Sequence, residues 1–147
     1  MATKALQSGV HLDRQDVALT FGATNAMSAA ATYPCGYAAG ATDGTYLDLG
    51  NTDLEGMSVI FHVEEAITGS GAKAVFKVSV SNNGGSNWEE IAASASIAAA
   101  NLTAAKEFAV PIPRGHVQGN LMKAEVVASG TVSGGKVSAY VDCYIGK

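Results

Sequence analysis

The run Lys136-Val137-Ser138-Ala139-Tyr140-Val141-Asp142-Cys143-Tyr144-Ile145 alternates apolar and polar side chains along its whole length. An extended strand sends successive side chains to opposite faces, so this period of two identifies a half-buried β-strand with one wet face. Val137, Ala139, Val141, Cys143 and Ile145 form its inward set; Lys136, Ser138, Tyr140, Asp142 and Tyr144 form its outward set. The same period recurs in residues 57–63, with Met57, Val59, Phe61 and Val63 on one face, and in residues 74–80, with Phe76, Val78 and Val80 opposite Lys77 and Ser79.

Weaker strand signals cover residues 16–21, 45–49, 88–92, 106–112 and 121–128. Turn chemistry separates the runs at Gly69-Ser70-Gly71, Asn82-Asn83-Gly84-Gly85 and Ser133-Gly134-Gly135, and the last of these reads as a hairpin. Short strands at this spacing predict an all-β fold: an antiparallel β-sandwich of jelly-roll type with about eight strands. Residues 22–44 have little periodicity and read as a long ordered loop. Residues 92–105 are alanine-rich and read as a loop with a short helix. Residues 1–16 lack a core pattern and read as an extended N-terminal arm, which leaves residues 17–147 as a single domain.

Composition narrows the function. The hydrophobic share is 48%, but only 7% is aromatic, so the core must be built largely from small side chains. A net charge of −4, with Lys and Arg scattered, argues against nucleic acid as a partner, since phosphate neutralisation needs clustered basic groups. No run reaches the ~18 apolar residues of a membrane helix, and the first residues lack the apolar stretch of a signal peptide. The expectation is a chain made in a host cytoplasm, with no membrane contact.

No catalytic or metal-binding constellation emerges, and no cofactor motif. His11, His62 and His116 lack the spacing of ligands held on one element, and there is no P-loop or nucleophile elbow. Glu64-Glu65 and Glu89-Glu90 are adjacent on strands and so point to opposite faces. Cys35 and Cys143 are too far apart in sequence for a zinc or redox motif; Cys143 reads as a buried structural thiol and Cys35 as a turn residue. A disulfide between them is possible on sequence grounds, though nothing indicates an oxidising compartment.

Ser81-Asn82-Asn83-Gly84-Gly85-Ser86-Asn87-Trp88 resembles an Asp-box hairpin, with Asn83 where Asp is usual and Asn87 where Thr is usual. Asn83, Gly85 and Trp88 are read as structural: an amide that bonds turn backbone, a glycine for positive φ, and an indole packed beneath the turn. Pro111-Ile112-Pro113-Arg114-Gly115-His116 is a rigid loop placed at a sheet edge, because proline cannot donate a ladder hydrogen bond. Arg114 suits a partner's carboxylate. His11, Leu12 and Arg14 of the arm, together with Arg114 and His116, are the candidate partner-binding residues.

Taken in order, Gly9-Val10-His11-Leu12-Asp13, Val17-Ala18-Leu19-Thr20-Phe21-Gly22, Tyr46-Leu47-Asp48-Leu49-Gly50, the strand Lys77-Val78-Ser79-Val80-Ser81 and Trp88 resemble the jelly-roll capsid cement (decoration) proteins of short-tailed bacteriophages. The resemblance implies a structural virion protein without enzymatic activity. It would sit on the capsid exterior as a homo-oligomer, a dimer or trimer, and bind the major capsid protein and copies of itself. An alternative is a carbohydrate-binding β-sandwich or phage adhesion domain, suggested by Trp88 with Tyr140 and Tyr144 on an outward face. A cupin-type enzyme would require clustered histidines, which the spacing disfavours.

Overall fold

The computed structural model describes residues 20–36, 47–48, 57–113 and 121–142. In chain order the strands are β1 (Thr20–Ala23), β2 (Ala31–Pro34), β3 (Leu47–Asp48), β4 (Ser58–Thr68), β5 (Lys73–Ser81), β6 (Glu89–Ala93), β7 (Ile97–Ala98), β8 (Glu107–Pro111), β9 (Leu121–Ser129) and β10 (Gly134–Asp142). A 3-10 turn, Ala99–Asn101, follows β7.

The strands form two sheets, one in the order β1-β10-β4-β8 and the other in the order β2-β9-β5-β6, with β3 pairing β9 and β7 pairing β5. Every pairing is antiparallel. Folding one long hairpin, β1-β2-β4-β5 against β6-β8-β9-β10, gives the pairs β5–β6, β4–β8, β2–β9 and β1–β10. All four are present, and the remaining contacts β4–β10 and β5–β9 close the two sheets. This is a jelly roll.

The alternation in the sequence matches the two sheet faces. Val59, Phe61 and Val63 on β4, Ala74, Phe76, Val78 and Val80 on β5, and Val137, Ala139 and Val141 on β10 are all buried in one core cluster. At its centre the Phe61 and Phe76 rings stack with centroids 4.8 Å apart, and the Phe76 and Phe108 rings stack at 5.2 Å. Small inward residues on β9, Ala124 and Ala128, leave room for these rings. The interior is therefore filled by side chains at the spacing expected of a packed sandwich.

Three expectations need correcting. Residues 22–44 are not simply a loop, because residues 31–34 form β2 and pair with β9. Tyr33 and Pro34 there are half-buried, and the strand is too short for a periodic signal to show. Gly134-Gly135 is not a hairpin turn: both residues belong to β10, and residues 130–133 carry the chain from one sheet to the other. Gly135, at φ 143°, instead accompanies a register shift between Gly134 and Lys136. Residues 92–105 contain the short strand β7 as well as the 3-10 turn Ala99–Asn101. The arm, residues 1–16, lies outside the described residues.

Prolines stand on an outer strand of each sheet. Cys35 N–H bonds Ala124 O at 2.9 Å and Ile112 N–H bonds Met57 O at 3.0 Å, so these neighbours face the ladder. Pro34 on β2 and Pro111 on β8 thus fall where a backbone N–H would face the open edge. They remove a donor from each edge and discourage strand addition there.

Replacing Phe76 with alanine removes the middle ring of the stack. The expected loss is about 3–5 kcal/mol of stability, read as a lower denaturant midpoint with little change in slope. A loss below about 1 kcal/mol would contradict the central position given to this side chain.

Candidate interaction surface

With the interior filled, the polar and charged groups that can meet another molecule lie on the outer faces and at the turns. On β10, Tyr140 lies opposite Ile60 of β4, and Ile60 lies opposite Ala109 of β8. Tyr140 reaches across β4 and its hydroxyl donates to Glu107 Oε2 at 3.2 Å. His62 Nδ1 lies 3.2 Å from the same oxygen. Ile60 points away from the core, yet it is only 4% exposed. The ring of Tyr140 shields it, and the shared carboxylate holds that ring down. His62 is on the polar side of its strand, as expected, and its Glu107 partner is 45 residues away in sequence.

The outer face of the other sheet carries an ion network. Glu125 of β9 lies opposite Lys77 of β5 and Pro34 of β2. Its carboxylate is 3.7 Å from Lys77 Nζ and 3.3 Å from Lys123 Nζ, and the residue is 9% exposed. Two ammonium groups compensate this shielded carboxylate, which would otherwise lose its hydration unrewarded. Lys123 Nζ also lies 4.5 Å from the centroid of the Trp88 ring, a cation–π contact. Trp88 is half-buried on the outer face, with the Lys123 ammonium over its ring.

The 82–88 turn does have the hydrogen bonding read from its sequence. The Ser81 hydroxyl donates to Asn83 Oδ1 at 2.9 Å and accepts from the Gly85 N–H at 2.9 Å and the Asn83 N–H at 3.4 Å. Asn83 Oδ1 also accepts from the Asn87 N–H at 2.9 Å. An asparagine thus does in this turn what a carboxylate could do, and Gly84 and Gly85 supply the positive φ. Ser81, one of the positions at which the segment matches the Asp-box pattern, bonds both Asn83 and Gly85 and is itself buried beside the turn.

Cys35 follows β2 in a turn, as expected, but is fully buried in the core, and its thiol is free. Burial, with a further contribution from the negative charge of Glu125, pushes its pKa well above the usual thiol range. Cys143 lies outside the described residues, and so do His11, Leu12, Arg14, Arg114, His116 and Tyr144. Trp88 and Tyr140, paired in the carbohydrate reading, lie on opposite sheets. Among the described residues no three His, Cys, Asp or Glu side chains group as metal ligands. No helix among them is long and apolar enough to cross a membrane.

Residues 37–141 match the family model described as Bbp16. No curated protein matches the chain.

Two outcomes test this geometry. Ser81→Ala leaves Asn83 and Gly85 without their shared partner and should cost about 1–3 kcal/mol in denaturant unfolding; no change would show the turn to be held by backbone alone. In a Cys143→Ser background at pH 8, Cys35 should resist a thiol reagent until the protein unfolds, because the buried thiol stays protonated. Rapid labelling of the native protein would contradict its burial.

Proposed function

The chain belongs to the Bbp16 family, and for this member we propose the role of a capsid cement (decoration) protein. In this reading it is a structural virion protein on the outer surface of a phage head, stabilising contacts between major capsid subunits. The observation that carries the reading is the filled interior. The Phe61, Phe76 and Phe108 stack occupies the space between the sheets where a jelly roll built for small-molecule chemistry would keep its cavity. Recognition is then left to the exterior. That exterior offers a half-buried tryptophan, ordered turns and two ion-paired patches on a rigid scaffold.

A cement protein does not need tight individual contacts. Many copies act on one lattice, and bound subunits oppose expansion together. An edge-blunted sandwich suits the task, since Pro34 and Pro111 limit indiscriminate pairing of strands between copies. The protein would be made in the host cytoplasm and function on the virion, in contact with the major capsid protein and with copies of itself.

The test is addition of the purified protein to heads that lack it, from the virus whose genome carries the gene. It should co-sediment with the heads and raise the temperature at which they release DNA. Heads that neither retain the protein nor gain heat resistance would refute the proposal.

A further inference from the structure

The 82–88 turn holds the one Asn-Gly pair of the sequence, Asn83-Gly84, and both residues are exposed. When glycine follows asparagine, the next backbone nitrogen can approach the side-chain carbonyl carbon unhindered, because glycine brings no Cβ to the encounter. The surroundings do not crowd that approach either. Gly84 has φ 74°, and a Cβ built on it would meet nothing within 4 Å. Asn25, Asn82, Asn87 and Asn101 are exposed too, but each precedes a residue that carries a side chain.

The hydrogen bonds of the turn treat the two ends of the Asn83 amide differently. Oδ1 accepts from the Ser81 hydroxyl at 2.9 Å and from the Asn87 N–H at 2.9 Å. Nδ2 donates to no described residue, and neither does the Gly84 N–H. The carbonyl oxygen is therefore held, the amide nitrogen is open to water, and the neighbouring backbone nitrogen is not committed to the turn. Two donors on Oδ1 stand where negative charge gathers when the carbonyl carbon becomes tetrahedral.

The turn also uses this side chain purely as an acceptor. A carboxylate at position 83 can take the same two bonds, and bonds to an ionised acceptor are shorter and stronger.

We propose that Asn83 is a self-modification site, at which the side-chain amide is converted to a carboxylate that the turn then retains. Gly84 N gives up its proton to solvent base and bonds to Asn83 Cγ. The Cγ–Nδ2 bond breaks, and ammonia leaves with a proton taken from water. Water then opens the cyclic imide. The sum is amide plus water to acid plus ammonia, with no oxidation or reduction. Opening at one carbonyl restores the normal backbone and leaves aspartate. Opening at the other leaves isoaspartate, which adds a methylene to the main chain and displaces the Gly85 and Asn87 N–H groups from their acceptors. The intact turn therefore selects aspartate, the residue usual at this place in an Asp-box hairpin. The change adds one negative charge to a chain of formal net charge −4. None of this depends on the role proposed above.

The experiment incubates the full chain at pH 8, folded and also held unfolded in denaturant, and follows each asparagine by peptide mass mapping, with an isoaspartyl methyltransferase to count isoaspartate. In the folded chain Asn83 should convert at least about tenfold faster than Asn25, Asn82, Asn87 or Asn101. Aspartate should exceed isoaspartate there, whereas the unfolded chain should yield mostly isoaspartate. Asn83→Asp, made directly, should unfold at a higher denaturant midpoint than the parent. An Asn83 that stays intact in the folded chain while the unfolded chain converts would show that the turn protects the amide, and would overturn the proposal. Isoaspartate as the main product of the folded chain, or an Asn83→Asp variant that is less stable than the parent or fails to fold, would overturn it equally, since the turn would then not accept the carboxylate.

Discussion

The stack of Phe61, Phe76 and Phe108 is the contact on which the rest of the structure depends. Phe61 and Phe108 come from neighbouring strands of one sheet and Phe76 from the other, so the stack ties the two layers at their centre. The chain has four phenylalanines and one tryptophan, and its tryptophan is on the outer face. With aromatics so scarce, no ring of this stack can be spared without hollowing the core. The alanines and valines around them, among them Ala74, Ala124, Ala128 and Ala139, bury little area each and rely on that fixed spacing to make contact.

In the proposed role recognition falls to the surface, and side-chain clusters hold that surface in place. Tyr140 lies across β4 because Glu107 accepts its hydroxyl, and this covers an outward isoleucine that would otherwise face water. Glu125 is ion-paired with two lysines on the other face, one of which also caps the indole of Trp88. Each cluster pins long side chains that would otherwise sample many rotamers, which lowers the entropy lost when a partner docks. The same economy appears at the edges, where prolines replace donors, and in the 82–88 turn, where one serine and one asparagine satisfy several backbone groups.

The sequence carried the fold further than it carried the site. Period-two runs placed β4, β5 and β10, because each buries one face and wets the other, and the prolines marked an edge that β8 occupies. The strand β2 escaped because four residues, two of them exposed, hold too little periodicity to be seen. The glycine pair at 134–135 misled because a bulge and a hairpin use the same residue for the same positive φ; only pairing partners separate them. The turn chemistry of Ser81–Asn87 was legible because its hydrogen bonds are local. The Tyr140–Glu107–His62 and Lys77–Glu125–Lys123 clusters were not, since each joins strands whose register depends on the whole sandwich. Arg114, His116 and the arm residues lie outside the described chain.

The central claim is that this jelly roll acts from the outside of a phage head. A three-dimensional reconstruction of heads purified from the virus that encodes it tests this most directly. The account predicts density for the two-layered sandwich on the outer surface, lying over junctions between major capsid subunits. Heads with a bare exterior, or the protein located inside the shell or in the tail, would contradict it.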